Sequence, residues 1–274
     1  MKSFKMKALA LATLGLGGLV MAGSAAAAAC TNTAPFAAWS SASGSPLGTT
    51  TSGALLGGVA VAGPGLNGTN CSMAASFATA PGSNGEEAVV FDNSPQLEQT
   101  YRFRFYIDPT AIAPSLSTVN TAFAFQATSS ANHGTVSPTT KIVEIQLIGN
   151  SGVVSIRPFA ACTTAGGGAT QVGNFCHSTD VVLPTPYVGT GVRVEGQVIL
   201  GSAGTGVLNI WVGTNTGTPD AVINVDNAAW GGSDGVKQAT MGLFRSTPFF
   251  RNAAVNQVVY FDEFDSRRQT AIGP

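Results

Sequence analysis

Charge is scarce in this chain. Only 10% of its 274 residues are Asp, Glu, Lys or Arg, and the formal net charge is −1. Nucleic-acid affinity rests on clustered cations that displace counterions, so a near-neutral chain with scattered arginines excludes that class of partner. Histidine is scarcer still, with two in all. Both His133 and His177 lie in stretches rich in Ser, Thr, Asn and Gly, which read as solvated loops. Four cysteines occur with no Cys-x-x-Cys pair among them, which leaves little zinc chemistry. No segment beyond the first residues sustains a 3.6-residue apolar period, which excludes a helical bundle. No internal repeat and no linker with a shift of composition is present.

The one long apolar run stands at the start. Residues 1–7 carry Lys2, Lys5 and Lys7, residues 8–22 are apolar, and residues 25–29 are all alanine. This is the basic, apolar and small-residue order of a secretory signal peptide. The run is shorter than the ~20 residues a membrane span needs. Cleavage is expected within 27–29, leaving residues 30–274 as a single secreted domain, extracellular or periplasmic, with no membrane span. A lipidated start would need Leu three positions before Cys30, where Ala27 stands. Losing the leader removes three of the 13 basic residues against 14 acidic ones, so the remainder is weakly acidic. An even number of cysteines in an exported chain predicts two disulfides. Cys162–Cys176 is the favoured pair, because Gly166, Gly167 and Gly168 let the chain turn between them. Cys30 would then tie the mature N-terminus to the strand beginning at Cys71.

Period-two patterning fills the rest. Strands are expected over 36–39, 55–62, 71–77, 87–91, 101–107, 120–126, 141–148, 153–159, 192–200, 207–213, 221–225, 237–244 and 255–265. The clearest alternation sets Tyr101, Phe103, Phe105 and Ile107 on one face and Arg102, Arg104 and Tyr106 on the other. Residues 120–126 alternate Ala122 and Ala124 against Phe123 and Phe125. Gly149-Asn150-Ser151-Gly152 joins a hairpin. In the last strand Val258, Tyr260, Asp262 and Phe264 share one face, and Val259, Phe261, Glu263 and Asp265 share the other. Apolar side chains on both faces place that strand between layers, and each of its carboxylates then needs a partner. So many short strands with Gly-rich turns predict an all-β, antiparallel two-sheet jelly-roll sandwich.

Four segments bear a family resemblance. They are Asp92-Asn93-Ser94-Pro95 running through Glu98 and Tyr101–Tyr106 to Asp108-Pro109; Leu208–Gly213; Met241–Phe244; and Tyr260–Arg268. In this order they resemble strands of exported bacterial laminin-G-like domains, which belong to the concanavalin A-like lectin/glucanase jelly rolls. The resemblance spans residues 71–274. It implies the concanavalin A-like sandwich, and that fold hosts lectins, adhesion modules, glucanases and lyases. Relatives often bind one structural calcium through an Asp on the closing strand, a position that Asp262 holds here. The alternative is that Asp262 accepts backbone N–H groups or pairs with an arginine. Residues 31–39 lack the acidic segment such relatives carry.

Catalytic patterns of that fold are missing. Its glucanases need Glu-x-Asp-x-x-Glu, with the outer residues as nucleophile and acid. Here Glu263-Phe264-Asp265 is followed by Arg268 where the second Glu belongs. Its lyases need Tyr or His as base, with Gln, Arg or Asn neutralising a uronate, and no Gln-x-His occurs. No Gly-x-Ser-x-Gly elbow is present. Sugars stack on aromatics and bond to Asp and Asn. Asp226, Asn227, Trp230 and Asp234 form one loop with that set, and Tyr106, Arg102 and Arg104 form a face that lines a groove or an ion-pair ladder. Trp39 and Trp211 read as core. The expectation is an exported non-catalytic binding or surface module for a polysaccharide or cell-surface glycan. The alternatives are a carbohydrate-active enzyme (a glycosidase or polysaccharide lyase) with an unfamiliar site, or a structural envelope or matrix protein.

Overall fold

The alternating run at residues 101–107 lies at the middle of one of two packed sheets. The computed structural model describes residues 41–43, 57–62, 65–69, 72–77, 87–93, 95, 97–130, 140–163, 169–201, 205–225, 235–267 and 272. In chain order the strands are β1 (Ser41–Ser43), β2 (Gly57–Ala62), β3 (Ser72–Phe77), β4 (Ala88–Asp92), β5 (Thr100–Asp108), β6 (Ala122–Thr128), β7 (Lys141–Asn150) and β8 (Val153–Ala161). There follow β9 (Thr170–Val172), β10 (Phe175–His177), β11 (Val181–Val182), β12 (Val192–Ile199), β13 (Gly206–Val212), β14 (Ala221–Val225), β15 (Gln238–Phe244) and β16 (Val258–Arg267). One sheet has nine strands in the order β1-β4-β15-β6-β7-β8-β10-β9, with β11 on β8. The other has seven, β14-β13-β12-β5-β16-β3-β2. Neighbours are antiparallel throughout. This is the expected all-β jelly-roll sandwich. Among the described residues no helix is long and apolar enough to cross a membrane.

The core lies between the sheets. Tyr101, Phe103, Phe105 and Ile107 of β5 are buried there. Phe103 stacks on Phe125 of the facing sheet, with ring centroids 4.0 Å apart. Phe105 lies 5.8 Å from Phe125 and 6.1 Å from Phe261. Such pairs add to the several kcal/mol that burying each ring contributes. Gly196 on β12 pairs with Phe103 in register. A Cβ at Gly196 would stand 2.2 Å from the Phe103 ring, so the glycine makes the room that the stack requires.

Four features depart from the sequence expectation. β6 shifts register between Phe123 and Phe125, so Phe125 turns into the core while Phe123 stays outside. β16 shifts between Asp262 and Asp265, with Glu263 at φ 46°. Phe264 therefore packs against the core, and Asp265 takes the outer face. A helix, α1 (Pro248–Ala253), occupies six residues read as loop. Pro248 opens it, and the Thr247 hydroxyl caps it by accepting from Phe250 N–H at 3.3 Å. One and a half turns are too few to show a period. The excursion closed by the Cys162–Cys176 disulfide holds β9 and β10 rather than a plain turn. Cys30 and Cys71, the leader and Trp39 lie outside the described residues.

Gly196→Ala should cost about 1–3 kcal/mol by overpacking the ring stack. Urea denaturation of the oxidised protein should show a lower midpoint at unchanged slope. An unchanged midpoint would mean that the stack is not tight at this position.

Candidate functional site

Cross-strand pairing carries the outer residues of β5 into two rows on the seven-stranded sheet. Trp211, Glu195, Arg104 and Asp265 align across β13, β12, β5 and β16, and Asn209, Gln197, Arg102 and Arg267 form the next row. Arg102 lies 3.5 Å from Glu195, and Arg193 lies 2.5 Å from the same carboxylate. Arg104 stands 3.8 Å from Glu263, and Arg267 stands 2.8 Å from Asp265. The Ile272 N–H also donates to Glu195, at 3.1 Å. The result is an ion-pair ladder. Trp211 is not core: it stands on this outer face, 5.8 Å beneath the Arg102 guanidinium, and its indole N–H donates to Gly217 O at 2.7 Å. An indole with a wet edge and an apolar ring suits a sheet surface, and strand parity puts residue 211 there. Burial pushes the Tyr106 phenol above its ordinary pKa, and neighbouring Arg104 opposes the shift. Tyr106 therefore stays protonated at neutral pH. Arg102, Arg104 and Tyr106 are thus brought together, whereas Asp226, Asn227, Trp230 and Asp234 lie outside the described residues, as do His133 and Arg268.

Asp262 is held by protein donors. Its Oδ2 accepts from Leu66 N–H at 2.8 Å and from the Thr69 hydroxyl, and its Oδ1 accepts from Glu263 N–H at 2.8 Å. These neighbours bring protons to the carboxylate, whereas calcium requires oxygen lone pairs. Among the described residues no group of three or more His, Cys, Asp or Glu converges on one point. The described residues around Asp262 thus give its carboxylate hydrogen-bond donors, the alternative to a calcium ion. The carboxylate instead pins the loop at 65–69 to the bulge of β16.

A second polar constellation, which the sequence reading missed, occupies the outer face of the nine-stranded sheet. Register aligns Phe91, Thr240, Gln126, Glu144, Phe159 and His177 across β4, β15, β6, β7, β8 and β10. Beside that row, Phe244, Phe123, Gln146 and Arg157 form another. Val89, Phe91, Phe123 and Phe244 make an apolar floor. Arg245, in the left-handed region at φ 42°, lays its guanidinium 4.1 Å over Phe123 and 5.3 Å from Phe244. It pairs with buried Glu144, which also lies 3.3 Å from Lys141. Burial holds the Lys141 ammonium below its ordinary pKa; Glu144 opposes the shift and Arg245 adds to it.

Two donors in this cluster are left over. Gln126 Oε1 accepts from Arg245 Nη2 at 3.4 Å, but Gln126 Nε2 and Arg245 Nε are buried with no hydrogen-bond partner among the described residues. His177 is not a solvated loop residue. It lies on β10 with its ring 5.3 Å from Phe159 and its Nδ1 2.9 Å from Ser178 O. Arg157 grips Asp180 at 2.6 and 2.9 Å.

No family model matches the chain, and neither does any curated protein. Solved structures do share its fold. An alginate lyase, Aly36B, in complex with an alginate trisaccharide is 14% identical; the match covers 73% of this chain and 82% of that one, with a TM-score of 0.51. An endo-β-1,4-glucuronan lyase from the fungus Trichoderma reesei is 15% identical over 84% of this chain and 91% of its own, with a TM-score of 0.48. A marine alginate lyase from Aplysia kurodai is 10% identical over 77% and 87%, with a TM-score of 0.47. At these identities the likeness is one of fold. The expectation of a non-catalytic binding module, with enzymatic activity as the lesser alternative, is corrected by the one of these three likenesses whose TM-score exceeds 0.5, which is to an alginate lyase. A motif runs along one strand, whereas this face gathers residues from six strands.

Asp262→Ala should leave the Leu66 and Glu263 N–H groups without an acceptor and cost about 1–3 kcal/mol. In thermal melts the variant should fall below the wild type, and neither EDTA nor added calcium should move the wild-type midpoint. A calcium-dependent rise of the wild type would contradict this account of Asp262.

Proposed function

We propose that this chain is a carbohydrate-active enzyme that cleaves a uronate-containing polysaccharide by β-elimination on the outer face of its nine-stranded sheet. The observation that carries the reading is the pair of unpartnered buried donors, Gln126 Nε2 and Arg245 Nε, beside Lys141. Buried donors are nearly always satisfied, and two left over in one cluster suit a carboxylate. Held there, a uronate carboxylate gains hydrogen bonds that strengthen as charge moves onto it. Lys141, as the free amine, takes the proton from the carbon next to that carboxylate. The electron pair forms the C4–C5 double bond, the C4–O bond breaks, and the lysine ammonium returns its proton to the leaving oxygen. Glu144 positions both side chains. Phe123 and Phe244 give the sugar ring an apolar floor. The polysaccharide lyases named above support the substrate class, since alginate and glucuronan are uronate polymers. The laminin-G resemblance contributes the concanavalin A-like sandwich only, and the exported location read from residues 1–29 fits an extracellular polymer.

Alginate, glucuronan, polygalacturonate and hyaluronan make the test panel, with the ultraviolet absorbance of the unsaturated product as readout. At least one polymer should be cleaved. Lys141→Ala should lower the rate about 10²–10⁴-fold, and Arg245→Ala about 10²–10³-fold. Only the unprotonated amine accepts a proton, so the rate should rise with pH, with a midpoint below the ordinary lysine value of 10.5. Lys141→Arg, which keeps the charge and loses the base, should be inactive. A panel with no unsaturated product, or equal activity in Lys141→Ala, would overturn the proposal.

A further inference from the structure

The opposite sheet carries a separate cavity. It measures about 340 Å³ and opens at the end of β5 and β12. Tyr106, Pro184 and Pro186 supply flat apolar surface, while Thr185, Thr190 and Thr214 stand around it with their hydroxyls. Asn67 completes the rim. The Tyr106 phenol and the three threonine side chains make no hydrogen bond among the described residues. A cavity of this size lies at the lower end of small-molecule sites, which pair apolar walls with a few polar groups.

Its walls are fixed before any ligand arrives. Arg193 Nε donates to Gly213 O at 2.7 Å, and its Nη2 donates to Asn215 O. Gly213 has φ 64°, and a Cβ there would stand 2.9 Å from Pro184 Cγ, so only glycine lets this turn close against the proline. On the other side Asn67 N–H donates to Thr190 O at 3.0 Å, and Asn67 Nδ2 donates to Glu263 at 2.9 Å. The charged groups nearby are spent on one another: Arg193 on Glu195, and Arg104 on Glu263. What remains for a ligand is hydroxyls and flat surface, without net charge. That is the complement of a neutral sugar ring.

We infer that this pocket is a second carbohydrate site, which takes one neutral monosaccharide unit and lies on the sheet opposite the uronate face. It stands independently of the cleavage reaction. The enzyme would then hold two kinds of sugar at once, as a polymer with neutral units or neutral side chains presents them.

Amide chemical shifts of the labelled mature protein test it, with methyl β-glucopyranoside, methyl α-mannopyranoside and methyl β-galactopyranoside as probes and glucuronate as the charged control. At least one neutral glycoside should give saturable shifts at Asn67, Thr190 and Thr214. Tyr106→Phe removes one hydrogen-bonding hydroxyl and should weaken binding about fivefold. Thr190→Trp should abolish binding by filling the cavity; its backbone carbonyl still accepts from Asn67, so the fold should persist and a thermal melt checks that. Lys141→Ala should bind as the wild type does, which separates this site from the cleavage site. Absence of shifts with all three glycosides, binding of glucuronate alone, unimpaired binding by Thr190→Trp, or loss of binding in Lys141→Ala would each overturn the inference.

Discussion

The stack of Phe103 on Phe125 joins the two sheets, and the polar geometry of the nine-stranded sheet follows from it. In an unbroken strand Phe123 and Phe125 would face the same way. The shift at Ala124 lets Phe125 enter the core and leaves Phe123 outside. Gln126, next in the alternation, must then face outward. On β15 the matching shift sets Met241 opposite Phe125 and Phe244 opposite Phe123. Gly242 takes φ 133° there, with the Ala88 carbonyl 2.1 Å from where a Cβ would stand. Arg245 comes next and folds back over both outer rings. The leftover donors of Gln126 and Arg245 are thus a consequence of how the core is packed.

Much of the sandwich was legible because its signals are local. β5 alternates cleanly, the turn at 149–152 is a short glycine-flanked hairpin, and the glycines at 166–168 favoured the Cys162–Cys176 bridge that forms. Register shifts are not local. Nothing in Asp262-Glu263-Phe264-Asp265 shows that one residue too many stands there. That single residue moved Phe264 inward and Asp265 outward against the period-two reading. Trp211 misled for a different reason. Its neighbours Ile210 and Val212 are core residues, and an indole among them reads as apolar until parity is counted from the partner strand. Helix α1 was invisible because six residues hold no period, although Thr247-Pro248 is a cap signal in the sequence.

Of the candidate site, the sequence showed the β5 face and hid the other. Arg102, Arg104 and Tyr106 announce themselves within one strand. Gln126, Glu144, Lys141 and Arg245 come from β6, β7 and the end of β15, and no spacing along the chain relates them. Glu144 and Gln146 do share a parity within residues 141–148, which was the one available sign that β7 has a polar outer face.

In a chain with so little charge, the balance of each cluster decides what it can bind. The seven-stranded face is electrically closed. Its arginines at 102, 104, 193 and 267 meet Glu195, which Arg102 and Arg193 share, Glu263 and Asp265, and Asp262 on the same face brings the carboxylates to four. A charged ligand there would have to break a pair and leave a partly buried charge uncompensated, which is strongly unfavourable. Only a neutral group can enter without that cost. The nine-stranded face is open in the opposite sense. Glu144 is one anion shared by two cations, Arg245 and Lys141, and two donors beside it lack acceptors. A carboxylate would satisfy the two leftover donors, and a uronate unit brings one attached to the carbon whose proton leaves in the proposed cleavage. In the proposed reaction the carboxylate that meets these donors would also be the group that makes that proton acidic, so binding and activation would be one electrostatic event.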